Sequence, residues 1–193
     1  MTTTAERKTE GNGQYRVVGT RPIRHDGLGK VTGSDKYGGD VQMPGMLHGK
    51  IVRSPHAHAR IKKIDTRKAE ALPGVKAVVT AKDFPEMPEG TMSLGETAAS
   101  PRTLAENAMA SKKVVYKGHA VAAVAATSPH LAEEARDLIE VEYDVLPPLL
   151  DVCQAMAKGA PLIHEDQTTQ EAGKDTGVKS NLASHLQFRN GDL

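Results

Sequence analysis

The clearest pattern of apolar and polar positions lies between residues 114 and 150. Ala120-Val121-Ala122-Ala123-Val124-Ala125-Ala126 is an unbroken run of small apolar residues, as expected of a strand covered on both faces. Ser128-Pro129 follows, a cap and a favoured first helical residue, with Glu133 and Glu134 close to the positive end of the helix. Leu131, Ala132, Ala135, Leu138 and Ile139 recur on one helical face. Val141, Tyr143 and Val145 then alternate as a strand that Pro147-Pro148 ends. Strand, helix and strand within about thirty residues is the size of a βαβ-like crossover.

Upstream, the pattern predicts strands over residues 47–53 and 59–64, separated by Ser54-Pro55. A short helix over 65–72, capped by Asp65 or Thr66, ends at Pro73-Gly74, and 75–79 resumes as a buried strand. Residues 15–45, with Gly27, Gly29, Gly33, Gly38 and Gly39, read as an irregular, turn-rich opening segment. Residues 85–110 hold several Pro and Gly with little periodicity and read as a long excursion. Downstream, a short helix is expected over 151–158 and a polar linker over 166–181. Leu182, Ser184, Leu186 and Phe188 then alternate with polar neighbours into Asn190-Gly191, a hairpin signal whose returning strand is not written here. Residues 1–14 are too polar to offset the cost of ordering and are expected to be disordered or draped on a partner.

The chain of 193 residues has room for one core, or one domain with a partly ordered tail. Its 25 Lys and Arg against 24 Asp and Glu give a net charge of +1, so no global field draws it to nucleic acid or an anionic membrane. With two Phe, four Tyr and no Trp, the core must be built from Val, Ile, Leu, Ala and Met. The single cysteine, Cys153, excludes an intrachain disulfide and any multi-cysteine zinc or iron–sulfur site within the chain. No stretch resembles a signal peptide or approaches the ~20 apolar residues of a membrane helix, so the expectation is a cytoplasmic protein.

Candidate chemistry is sparse. Gly27-Leu28-Gly29-Lys30-Val31-Thr32-Gly33 evokes a phosphate loop but lacks its glycine frame, its Lys-Ser/Thr pair and a following helix, which favours a structural turn. His56 and His58, with His48 nearby, invite a metal reading, but local spacing fixes no third ligand, and hydrogen-bonding histidines beside Pro55 are the favoured interpretation. Arg60, Lys62, Lys63, Arg67 and Lys68 form a basic patch without interleaved aromatics, broken by Asp65 and Glu70, and read as a solvated face. Cys153, beside Val152 and Met156, reads as core. No Gly-x-Ser-x-Gly elbow or Cys-x-x-Cys pair is present, and no catalytic, cofactor-binding or metal-ligating residue is assigned.

Two stretches go beyond generic pattern. The first runs from Arg24-His25-Asp26-Gly27 through Lys30-Val31-Thr32-Gly33, Tyr37, Asp40 and Pro44-Gly45-Met46-Leu47-His48 to Arg53-Ser54-Pro55-His56-Ala57-His58-Ala59-Arg60-Ile61. The second runs from Leu72-Pro73-Gly74-Val75 through Thr80-Ala81-Lys82-Asp83 and residues 116–126 to Glu140-Val141-Glu142-Tyr143 and Leu146-Pro147. Together, in order from about residue 18 to 151, they resemble the opening of the large subunit in the xanthine dehydrogenase and aldehyde oxidase family, its α/β hammerhead domain. The resemblance implies an α+β fold with a mixed sheet and a few short helices. It sets out a tail over 1–14, a hammerhead domain over 15–165, and over 166–193 a linker and the start of a molybdenum-cofactor-binding domain absent from the chain. It further implies oxidative hydroxylation of an aldehyde or N-heterocycle at a molybdenum–pterin cofactor, with iron–sulfur clusters and FAD on partner domains or subunits. This chain would be a structural piece of that enzyme, inactive alone and binding no cofactor by itself. A stand-alone binding or assembly module without an enzymatic partner is the alternative. One departure is local: Gly118-His119 stands where the family usually has Gly-Gln, so no role of that glutamine carries over.

Overall fold

A computed structural model describes residues 17–191, apart from 89, 91, 95 and 96. The expected tail over 1–14 lies outside the described residues, as does whatever follows the Asn190-Gly191 turn signal. Chain contacts divide the protein into two compact units, residues 1–44 and 45–193.

In the first unit the opening segment is not a plain turn. Helix α1 (Gly27–Thr32) forms there and closes on Gly33, whose φ of +73° is the left-handed conformation that glycine adopts without penalty. Asp26, at the cap position, takes ion pairs from Arg24 at 2.5 Å and Lys30 at 2.7 Å. These local pairs hold a helix that has no apolar stripe, which is why periodicity did not reveal it. None of residues 17–44 is buried.

The second unit is built on two three-stranded antiparallel sheets. The first has β7 (Ala120–Ala126) between β1 (His48–Arg53) and β3 (Val75–Thr80). The second has β2 (Ala59–Asp65) between β6 (Lys113–Val114) and β8 (Glu140–Val145). Helix α4 (Pro129–Asp137) packs across β1 and β7 and touches the short helix α2 (Arg67–Glu70). Its cap is as read: the Ser128 hydroxyl accepts from Leu131 N–H at 3.2 Å, with Pro129 at the first position. Glu133 and Glu134 lie past the first turn, and Glu133 instead pairs with Arg136 at 3.4 Å and Lys50 at 3.9 Å.

The crossover expectation is corrected by the pairing. Both edges of β7 are taken, by β1 and β3, so α4 hands the chain to β8 in the other sheet, where it lies beside β2. This is strand–helix–strand without a parallel βαβ pair. One small core joins Ala122 and Val124 to Ala69, Ala135 and Ile139; a second joins Ala59, Ala110, Val114 and Val121. Val52 and Val141 touch both cores and so tie the two sheets together.

The excursion over 85–110 is also corrected. It carries a hairpin of β4 (Met92–Leu94) and β5 (Thr97–Ala99), then helix α3 (Pro101–Ala108). Ser100 caps α3, its hydroxyl accepting from Thr103 N–H at 3.4 Å, and Ala110 is fully buried. Helix α5 (Val152–Met156) is shorter than expected and buries none of its residues. The linker over 166–181 contains a two-residue hairpin, β9 (Gln170–Glu171) and β10 (Lys174–Asp175). The alternating run after it yields only β11 (Ser184–His185), parallel to β9, so mixed pairing occurs in this small sheet and not in the two core sheets. The α+β class stands.

Candidate functional site

The two motif stretches meet at one place. Leaving β1, the chain passes through Arg53-Ser54-Pro55-His56; entering β7, it turns through Tyr116-Lys117-Gly118-His119. Gly118 N–H donates to Ser54 O at 2.8 Å, and Ser54 N–H donates to His119 O at 2.9 Å. The Arg53 guanidinium donates to Gly118 O at 2.8 Å. Gly118 sits at φ +90°, where a side chain would be strained. Ser54 is buried, and its hydroxyl accepts from His56 N–H at 3.0 Å, which tightens the turn over Pro55.

His119 stands under this crossing. Its ring is fully buried and stacks on Tyr116, centroids 4.2 Å apart and planes 17° from parallel. Nδ1 accepts from Val115 N–H at 3.3 Å, and Nε2 lies 2.7 Å from Glu106 O. Tyr116 Oη donates to Asn107 O at 3.0 Å, fastening the same turn to the end of α3. Sequence reasoning noticed this histidine as a departure and assigned it no work. Its signal was the position itself, directly after a turn glycine and before the most apolar strand.

The three histidines weighed as metal ligands go to different tasks. His48 begins β1 opposite Ala126. The His56 ring meets Tyr143 edge-on at 5.1 Å. His58 is buried, its Nδ1 donating to Pro147 O at 2.8 Å, while Nε2 is buried without a hydrogen-bond partner. Among the described residues no group of three or more His, Cys, Asp or Glu is placed to hold a metal ion. Near His58, Lys113 and Arg60 both reach Glu165 at 3.2 Å and keep its carboxyl below the usual range, Lys113 the more strongly. His164 is held below its ordinary value, by burial first and then by the charges of Lys113 and His58.

Most of the basic patch is spent on acids. Arg67 and Lys63 converge on Asp65, whose carboxyl the Arg67 guanidinium holds far below its normal range; Arg60 takes Glu165 and Lys68 takes Glu140. Exposed pairs of this kind are worth little individually, but they leave a locally neutral face. Cys153 is exposed, against the expectation of a core position, because α5 offers no buried side to put it on.

Apolar size is distributed inside out. The largest fully buried side chains are His119, Val114 and Val121, and the rest of the buried apolar core is alanine, valine and Ile139. Leu150, Val152 and Met156 around α5 are exposed at 83%, 71% and 62%, and Leu186 and Phe188 beyond β11 at 60% and 85%. A shallow cleft of about 330 Å³ lies between the end of α5 and residues 179–182. Two of its polar side chains are engaged within the chain, while Lys158 and Lys179, both exposed, also line it. Asn181 donates to Ala155 O and Pro161 O at 2.9 Å and accepts from Ile163 N–H, and Ser180 bonds Thr169.

Comparisons with known proteins agree in direction. The family described as aldehyde oxidase and xanthine dehydrogenase, a/b hammerhead domain, matches residues 32–147. The carbon monoxide dehydrogenase large chain of Afipia carboxidovorans is 41% identical over 164 residues, 85% of this chain and 19% of that protein. A probable xanthine dehydrogenase subunit of Bacillus subtilis is 39% identical over 171 residues, 89% of this chain and 20% of that protein. The solved CO dehydrogenase from Oligotropha carboxidovorans superposes with a TM-score of 0.62 at 41% identity, over 75% of this chain and 17% of that one. The chain thus spans about one fifth of the length of these relatives.

Proposed function

The chain belongs to the aldehyde oxidase and xanthine dehydrogenase family, and on that premise we propose that it is the amino-terminal hammerhead part, or a separately encoded piece, of a molybdenum-cofactor-binding large subunit. In that reading residues 15–165 form the hammerhead, and 166–193 lead into the cofactor-binding region. The complete enzyme would oxidatively hydroxylate an aldehyde or N-heterocycle and pass electrons to iron–sulfur and FAD partners. A cytoplasmic location is part of the proposal; among the described residues, no helix is long and apolar enough to cross a membrane.

The work of this chain is to dock. The observation that carries this is the inverted distribution of apolar size: a core of alanine and valine beside exposed Leu150, Val152, Met156, Leu186 and Phe188. Covering each of these side chains would contribute roughly 1.5–3 kcal/mol, a gain available only against another apolar surface. A docked remainder of the large subunit supplies that surface.

In this reading the described residues do not by themselves make a site for the molybdenum–pterin cofactor. A pterin with its phosphates needs several free donors converging on one cavity. In the cleft beside α5, Asn181 and Ser180 are committed to the protein's own groups, which leaves the exposed Lys158 and Lys179, two flexible cations rather than a converging set of donors. No catalytic or cofactor-binding role is therefore proposed for any residue here. The test is native mass spectrometry of the chain co-produced with the cofactor-carrying remainder, with molybdenum analysis and turnover assays on both preparations. A molybdenum-containing complex is expected, and the chain alone should show no molybdopterin and no turnover of aldehydes or purines. Turnover by the chain alone, or failure of the two to associate, would overturn the proposal.

A further inference from the structure

We infer that His119 is the positioning residue of the motif crossing, and that it works as the neutral ring with its proton on Nε2. The backbone partners decide the tautomer. Val115 N–H can only donate, so Nδ1 must carry a lone pair; Glu106 O can only accept, so Nε2 must carry the hydrogen. Either of the other ring forms, Nδ1–H or imidazolium, sets an N–H against the Val115 N–H inside a site closed to water. Through the ring and its own backbone, His119 joins the end of α3, the turn at Tyr116, the start of β7 and Ser54.

What this holds in place is the exposed rim of the crossing. Arg53 and Tyr116 are each fastened by one polar contact, to Gly118 O and Asn107 O, and both remain exposed, Tyr116 on the part of its ring that does not stack on His119. A guanidinium with unused donors and an aromatic face suit a polypeptide surface carrying a carbonyl or carboxylate beside apolar groups. This functional half of the inference rests on the docking role proposed above; the tautomer and the order of the turn do not.

Glutamine offers the same chemistry as the neutral ring, one acceptor and one donor without charge, whereas leucine offers bulk alone. The tautomer is read on the 193-residue chain by long-range proton–nitrogen correlation of ring-labelled histidine, and His119 should show Nε2–H; the Nδ1–H form or an imidazolium at neutral pH overturns the inference. Amide exchange gives the second readout. His119→Gln should keep Val115 protected as in the parent, while His119→Leu should lose about tenfold or more at Val115, one buried hydrogen bond's worth, with Val124 unchanged. Retained protection in the leucine variant overturns the inference, as does loss in the glutamine variant. Should the leucine variant not fold, the tautomer and the glutamine rescue still decide. Binding to the cofactor-carrying remainder should survive His119→Gln and weaken about tenfold in His119→Leu; unchanged binding by a folded leucine variant overturns the positioning role. If the parent chain itself does not bind, the docking role fails, and the tautomer and exchange results still test the rest.

Discussion

Gly74 lies against Leu131 so closely that a Cβ on Gly74 would stand 2.6 Å from Leu131 Cδ2, with Thr127 Oγ1 at 2.9 Å. The contact joins the turn before β3 to the first turn of α4, and Thr127 N–H donates to Gly74 O at 3.0 Å across it. Gly74 is also at φ +96°, so both sterics and backbone demand glycine. Gly74→Ala should cost about 2–4 kcal/mol, the sum of a left-handed residue and an overpacked contact. A chemical denaturation curve measures it, and a loss under about 1 kcal/mol would mean that α4 does not sit on this turn.

Val124, nearly inaccessible in the centre of β7, tests the first core. Val124→Asp places an unpaired carboxylate among Ala69, Ala135 and Ile139 and should cost about 3 kcal/mol or more. Against the marginal stability of small domains this is a visible fall in the unfolding midpoint. An unchanged midpoint would remove β7 from the core.

The segment around His164 should loosen in acid. Its folded-state value is lowered from about 6.5, by burial and then by Lys113 and His58, so the fold favours the neutral ring. The corresponding stability is fully present above about 6.5 and is lost as pH falls below it. Glu165, also lowered, adds stability above about 4.5 that is lost only at still lower pH, as its Lys113 and Arg60 pairs break. Amide exchange of residues 163–165, taken relative to the intrinsic rate at each pH, should therefore accelerate on going from neutral to mildly acid pH, and His164→Gln should flatten the first part of the change. An equal acceleration in the glutamine variant would assign the effect elsewhere.

Ala172 adopts φ +47° and Gly173 φ +79°, the paired left-handed turn of a two-residue hairpin between β9 and β10. Asparagine bears that conformation more easily than alanine, so Ala172→Asn should stabilise the hairpin by about 0.5–1 kcal/mol. Increased protection of Thr176 N–H, which donates to Thr169 O at 3.0 Å, is the readout; no change would deny the turn type.

Apart from the two-residue β6, which was not read as a strand, the strands of both core sheets were legible to within a residue or two because their signal is local. β1, β3, β7 and β8 each carry apolar alternation or an apolar run, and Ser128-Pro129 announces α4. Ser100-Pro101 announces α3 with the same grammar, but Leu104 is the only large apolar residue in that helix, so no face appeared in the sequence. The division into two sheets was not legible, since it depends on which strands occupy the edges of β7, a matter of residues roughly forty to eighty positions apart. Cys153 and its neighbours were misread for a related reason: apolar character is local, whereas burial depends on what the rest of the chain brings to α5. At the motif crossing, the residues were visible as a resemblance, but that Ser54 meets Gly118 and His119 was not.

The central claim, that this module completes its apolar surface by docking to the cofactor-carrying remainder, is tested most directly by amide exchange of residues 150–156 and 182–188 in the isolated chain and in the assembled enzyme. Both segments should exchange quickly in the isolated chain and become protected on assembly. Strong protection of Leu186 and Phe188 in the monomeric isolated chain, or no gain of protection in the assembled enzyme, would contradict it.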